Sequence, residues 1–345
     1  MNRPAAVVHC DWGTDPKKRW MATALLHDSQ YTAYPPEPVG NLNDPAHPQQ
    51  PFIARIRALR KEREAVLLGF DFPIGIPQRF AEQAHIPAFK PFLNTLAQAE
   101  WKHFYDVADK LAEVSIHRPF YPNQTHPKGE TRQQPFLDRL NATNINDLRR
   151  LCELKQPNRA AASPLFWTLG GNQVGKAAIR GWQQVICPIL NDPDIKLWPF
   201  DGTLENLLQP GNLVIAETYP TQYHPWLFGK AFLGKRSHSA RQRMSPPLLK
   251  WADTQSVCLH DDLREQIRSG FPPSTFSKQP AASERKDNED DRFDAILGLF
   301  GMLHLMAHPH LLHEPTNPTL RTIEGWILGQ PSHLALSAKA PPPTP

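Results

Sequence analysis

The sequence predicts an α/β layered domain interrupted by a long, mostly helical insertion. Short apolar runs recur at residues 5–10 (AAVVHC), 65–70 (AVLLGF) and 212–220 (NLVIAETYP), each read as a buried strand. Helical stretches alternate with them, PFIARIRALRKERE at 51–64 and DRFDAILGLFGMLHLM at 291–306. Between 78 and 210 the pattern turns helical and irregular. The expected organisation is a first core segment over 1–77, a helical insertion over 78–210, a second core segment over 211–308, and a partly disordered tail over 309–345.

The elements follow in order. After the first strand, DPKK (15–18) reads as a hairpin turn and RWMATALL (19–26) as the return strand. Residues 28–50 are rich in Pro, Asn, Asp and Gln and read mostly as loop. The strand 65–70 ends at Asp71, where FPIGIP carries two prolines that forbid continued pairing. The segment FAEQ…LAEV (80–114) reads as two or more helices, 116–135 as a basic, Pro-rich loop, and NDLRRLCEL (146–154) as a helix. LWPFDG (197–202) reads as a short strand and turn, and the strand at 212–217 ends at Glu217 before Pro220. A basic stretch, GKRSHSARQR (234–243), precedes a helix expected near 247–268. Residues 269–290 read as loop, Pro309 stops the last helix, and APPPTP closes a disordered tail.

Composition bounds the function classes. The chain has 345 residues, 40% hydrophobic with 9 Trp and 17 Phe, enough for a core of one large domain or two small ones. Proline, 37 of 345, is roughly twice average usage and points to many rigid loops. The net charge of +4 permits a polyanionic partner without demanding one. The four cysteines, Cys10, Cys152, Cys187 and Cys258, form no C-x-x-C pair and sit at no zinc-finger spacing, as in a reduced compartment. Asp11 and the run Lys17-Lys18-Arg19 come too early for a signal peptide, and no apolar run reaches membrane-span length. A soluble cytoplasmic protein with no membrane partner is expected.

Asp11, Asp71 and Glu217 each stand at the C-terminal end of an apolar strand. In open α/β sheets ligands bind beyond those ends. Asp291 and Asp294, three apart on the last helix, share a face, and Gly298 and Gly301 continue it. Small residues there let the helix approach the sheet. A lone Asp at a strand end is ordinarily a turn or cap residue, but these acids fall together. Clustered carboxylates raise one another's pKa unless a cation compensates. Mg²⁺ is held by such groups with water and phosphate oxygens, and two such ions clamp the oxygens of a phosphodiester.

Asp11 on the first strand, Asp71 on the strand after the first helix, and Asp291-x-x-Asp294-Ala295 on the last helix resemble the ribonuclease-H-like superfamily, nearest its Holliday-junction resolvase branch. Within it the chain looks like an uncharacterised bacterial family of predicted nucleases. The matching stretches are GFDFPIGIP (69–77), CELKQPNRAAASPLFWTLGGNQVGKAAIRGW (152–182), LWPFDG (197–202), AETYP (216–220) and DRFDAILGLF (291–300), within a resemblance spanning most of 5–306. It implies a ribonuclease-H-like mixed sheet flanked by helices and metal-dependent phosphodiester hydrolysis. Asp11, Asp71, Glu217 and Asp294 would be catalytic. Asp11, Asp71 and Asp294 would hold Mg²⁺ or Mn²⁺, with Glu217 or Asp291 completing the set. Glu217 departs from the resolvase pattern, though it is typical of the uncharacterised family. The implied partner is nucleic acid or a phosphodiester small molecule.

Other readings compete. DWGT (11–14) also resembles the first phosphate loop of the sugar-kinase, actin and chaperone ATPase superfamily, but no second Asp-x-Gly-Thr occurs. A non-catalytic nucleic-acid-binding relative is a third class. GGNQVGK (170–176) fits G-x-x-x-x-G-K by letter, yet Ala177 stands where a phosphate loop needs Ser or Thr. It reads instead as a turn capping a helix over 174–185, with Asn172, Gln173 and Lys176 candidates to touch a ligand. Lys235, Arg236, Arg241 and Arg243 are candidate phosphate contacts, and Trp226, Phe228 and Phe232 candidate base-stacking rings. His304 and His308 have zinc-pair spacing but read as a frayed helix end.

Overall fold

The computed structural model describes residues 1–40, 42, 51–60, 64–122, 133–156, 159–168, 173–229, 234–272 and 289–331. The chain divides into two compact units: 1–71 with 193–197 and 203–312, and 72–192 with 198–202 and 313–345.

The first unit is a mixed α/β layer. Its strands are β1 (Ala6–Asp11), β2 (Trp20–His27), β3 (Gln30–Ala33), β4 (Glu37–Pro38), β5 (Val66–Phe70), β6 (Ile195–Leu197), β7 (Leu213–Glu217) and β8 (Cys258–Leu259). Among the described residues they form one sheet in the order β6-β7-β5-β1-β2-β3-β8, with β4 on β2. β1, β2 and β3 run antiparallel, while β5 lies parallel to β1 and β7 parallel to β5. β1, β5 and β7 are buried along their whole length. Covered on both faces, they read as unbroken apolar runs rather than alternating ones.

The region 28–50, expected as mostly loop, contains β3 and β4. The turn into β3 is Asp28-Ser29, both at positive φ (45° and 67°), which matches the twist of a two-residue hairpin. Tyr31 and Ala33 point inward from a strand of four residues, too short to register as a run. The helix expected near 247–268 is two helices, His238–Thr254 and Asp261–Arg268, separated by β8. Ser256 at φ 53° makes the break between them. The helix expected over 51–64 ends at Ala58.

The last helix, Asp290–Ala307, is buried nearly all round from Phe293 onward. A Cβ at Gly298 would stand inside the ring of His9 on β1, so glycine there sets how closely helix and sheet approach. A Cβ at Gly301 would meet Tyr223, on the helix Pro220–Phe228, rather than the sheet. Burial lowers His9 to about pKa 3, so a neutral ring donates from Nδ1 to the Ala295 carbonyl at 3.1 Å.

The second unit is made of short helices and turns around an aromatic core that includes Phe80, Phe89, Phe92, Phe104 and Trp182. The helix expected over 146–154 is two 3₁₀ turns, Ile145–Leu148 and Leu151–Glu153. Arg150 and Glu153 form a buried pair at 2.8 Å, and Glu324 accepts from the Leu151 and Gln78 amides. Residues 313–331, read from sequence as part of a terminal tail, belong to this unit, with Leu320, Trp326, Ile327 and Leu328 buried. The expected disordered end, APPPTP, lies outside the described residues, as do much of the loops 116–135 and 269–290. Among the described residues no helix is long and apolar enough to cross a membrane.

Candidate functional site

Parallel pairing in register positions the acids. Cys10 pairs with Phe70, so Asp11 and Asp71 leave adjacent strands at the same level. Phe70 pairs in turn with Glu217. Three acids therefore stand at the carboxyl ends of three neighbouring strands, where open sheets place ligands.

The last helix brings the fourth. Asp294 lies one turn before Gly298, and its charge acts on both Asp11 and Asp71. Asp11 and Asp294 are each 8% exposed. Burial, then the charges of Asp71, Asp294 and Asp291, push Asp11 well above the carboxylate range, against the pull of Lys235. Burial raises Asp71 to about 7, although it accepts hydrogen bonds from the Trp12 amide (2.7 Å) and from Asp11. A carboxyl–carboxyl hydrogen bond requires a proton on one partner, and the raised Asp11 is the partner that favours keeping it, as donor to Asp71. Burial also raises Asp294, opposed by Lys235, and raises Asp291 to about 6 with help from Asp290.

Glu217 is buried, 4% exposed, and its charge falls on the Tyr223 hydroxyl. It is not among the largest charges on Asp11 or Asp71, whereas Asp291 is among those on Asp11. Asp11, Asp71 and Asp294 thus act on one another, Asp291 acts on Asp11, and Glu217 ends β7, the strand beside that of Asp71.

The basic residues separate. The Lys235 ammonium contacts Asp294 Oδ2 directly, and Arg236 Nε lies 3.4 Å from Asp290 Oδ2. Burial would lower Lys235, but Asp294, Asp11 and Asp290 reverse this and hold it above its usual value. Arg241 does not fit the expected phosphate contact. It is fully buried and donates to the carbonyls of Gly270 (3.0 Å), Lys235 (2.8 Å) and Phe271 (3.0 Å). Arg243 is exposed on the helix His238–Thr254. Lys176 belongs to the second unit, half-buried on the helix Val174–Gly181. Gly175 there packs against the Leu165 carbonyl, as a helix contact rather than a phosphate cradle. Asn172 and Phe232 lie outside the described residues. Trp226 stacks on Tyr223 and His304, at 5.5 and 5.3 Å.

The loop after β1 bears on the ATP-binding alternative. The Trp12 amide is committed to Asp71, and Arg19 donates to the carbonyls of Gly13 (2.8 Å) and Thr14 (3.3 Å) while lying 4.3 Å over the Trp12 ring. A phosphate loop needs its amides turned to the ligand, and the first of these is spent on an acid.

Among the described residues, no three His, Cys, Asp or Glu side chains are gathered in a geometry that holds a metal ion. The donor chemistry nevertheless suits a hard divalent cation. Asp294 Oδ1 is buried with no hydrogen-bond partner among the described residues, and burial followed by mutual repulsion raises the neighbouring carboxyls of Asp11 and Asp71.

Asp290 and His9 escaped the sequence reading. Asp290 is one of a run of acids at a helix start, a position acids favour anyway. His9 lies within an apolar strand, and only the glycine at 298, distant in sequence, signals its role.

Compared with protein-family models, curated proteins and solved structures, the chain matches none.

Proposed function

We propose that the chain is a divalent-metal-dependent phosphodiester hydrolase, a nuclease built on a ribonuclease-H-like core. The observation that carries this reading is the convergence of Asp11, Asp71 and Asp294 from three separated segments, each raised by burial and neighbouring charge. The mixed sheet, with acids ending β1 and β5 and a third on the last helix, supports the ribonuclease-H-like assignment. Idle carboxylates packed in this way would only destabilise the fold.

Asp11, Asp71 and Asp294 would hold Mg²⁺ or Mn²⁺, with Asp291 beside them. Such an ion polarises a phosphoryl oxygen and lowers the pKa of its bound water. The chain's own part is to give up the proton shared by Asp11 and Asp71 when the ion arrives, and to keep Asp71 oriented through the Trp12 amide. Arg243, exposed, and Arg236, half-exposed beside Asp290, are cations placed to track a phosphate backbone.

The test is cleavage of labelled single- and double-stranded DNA and RNA, and of bis(p-nitrophenyl) phosphate, in Mg²⁺ or Mn²⁺. Wild type is expected to cleave at least one of them. Asp11→Asn and Asp71→Asn are expected to lose the activity while keeping cooperative unfolding. Full activity in both variants overturns the reading.

A further inference from the structure

Lys235 is the one cation in direct contact with the carboxylate trio among the described residues, and its surroundings are unusual for a structural ion pair. Its ammonium meets Asp294 Oδ2, while Oδ1 of the same buried carboxylate has no partner among the described residues. The Lys235 side chain is 34% exposed, against 11% for that of Asp294, so part of it already meets solvent. Its backbone is fixed independently. Gly234 turns the chain at φ 89°, and the buried Arg241 guanidinium holds the Lys235 carbonyl at 2.8 Å. The side chain can therefore swing without moving the main chain. Arg236, the next residue, stands farther off, at 3.4 Å from Asp290.

We propose that Lys235 is an internal counter-ion that a divalent cation displaces: its ammonium stands on Asp294 in the metal-free protein and leaves when the metal binds. This rests on the metal reading of the same carboxylates. The exchange forms and breaks no covalent bond. One monovalent cation leaves a buried carboxylate, and one divalent cation replaces it. A compact, strongly hydrated ammonium on a flexible stem suits that exchange better than a guanidinium locked by two parallel hydrogen bonds. Lys235 is then a positioning residue, guarding Asp294 until the ion arrives, rather than a direct contact to substrate.

The test is Mn²⁺ binding by calorimetry on the wild type, Lys235→Met and Arg236→Gln. Both substitutions remove one positive charge, but only the first removes the competitor on Asp294. Lys235→Met is expected to bind Mn²⁺ about tenfold tighter than wild type, and Arg236→Gln no more than about threefold tighter. Equal or weaker binding by Lys235→Met overturns the exchange and leaves the metal reading standing. No binding by any of the three overturns the metal reading and the exchange with it. A second measurement uses the wild-type fold. After reductive ¹³C-methylation of the lysines, Mg²⁺ is expected to move the Lys235 resonance, identified by its loss in Lys235→Met. A Lys235 resonance that stays fixed while Mg²⁺ binds also overturns the exchange.

Discussion

Gly298 of the last helix rests on the imidazole of His9 in the first strand, with no room for a methyl group between them. That contact sets the depth of the helix, and Asp294 stands one turn before it. Gly298→Ala is expected to destabilise the protein by about 1–3 kcal/mol through overpacking. Urea unfolding measures this. The same variant is expected to weaken Mn²⁺ binding, because Asp294 is carried away from Asp11. The unaltered stability of wild type in Gly298→Ala would mean that the helix lies farther from the sheet.

Asp71→Asn is expected to stabilise the metal-free protein at neutral pH. The Asp71 carboxyl, ordinarily near 3.8, is raised by burial to about 7 in the folded chain. The folded state therefore binds this proton more tightly than the unfolded state. Its contribution to stability is complete below about 4 and is lost as pH rises through about 7. Because Asp71 shares a proton with Asp11, the two titrate as a pair. The Tm advantage of Asp71→Asn over wild type is expected to open across that window and then level off. A difference that does not vary between acid and neutral pH contradicts the shared proton.

Metal binding inherits the same pH dependence with the opposite sign. A divalent ion replaces the proton held between Asp11 and Asp71, so protons compete with it. The affinity for Mn²⁺ is expected to rise as pH increases through about 7, where Asp71 gives up its proton, and not to fall above it, since Asp11 is also raised. Calorimetry in two buffers of different ionisation enthalpy counts the protons released. Zero release at pH 6 would contradict the account.

Arg241 and Arg243 stand two apart and are expected to behave differently. Arg241→Gln leaves up to three carbonyls without their donor and is expected to cost about 2–3 kcal/mol of stability. Arg243→Gln, on an exposed helix face, is expected to leave stability within about 0.5 kcal/mol and to weaken polyanion binding in low salt. Urea unfolding and a salt titration of DNA binding separate the two.

Much of this arrangement is legible in the sequence because it rests on strong local signals. β1, β5 and β7 are apolar runs produced by two-sided burial, and each stops at an acid. Asp294 is legible because helical spacing puts it in line with Gly298. β3 and β4 escape notice because four and two residues make no pattern, and their place depends on β2 beside them. The basic stretch 234–243 is ambiguous for a different reason. Charge alone does not distinguish Lys235, whose partner lies 59 positions away, from Arg241, whose guanidinium is buried on carbonyls near 270, or from Arg243, which faces solvent. Glu217 shares the local signal of Asp11 and Asp71, and the sheet order, which the sequence does not show, puts its strand next to that of Asp71 and two from that of Asp11.

The most direct measurement is a Mn²⁺ titration followed by thermal unfolding, on the wild type and on the double variant Asp11→Asn/Asp71→Asn. Mn²⁺ is expected to raise the Tm of the wild type and to leave that of the variant unchanged. No rise in the wild type, or the same rise in both, would contradict a metal held by these aspartates.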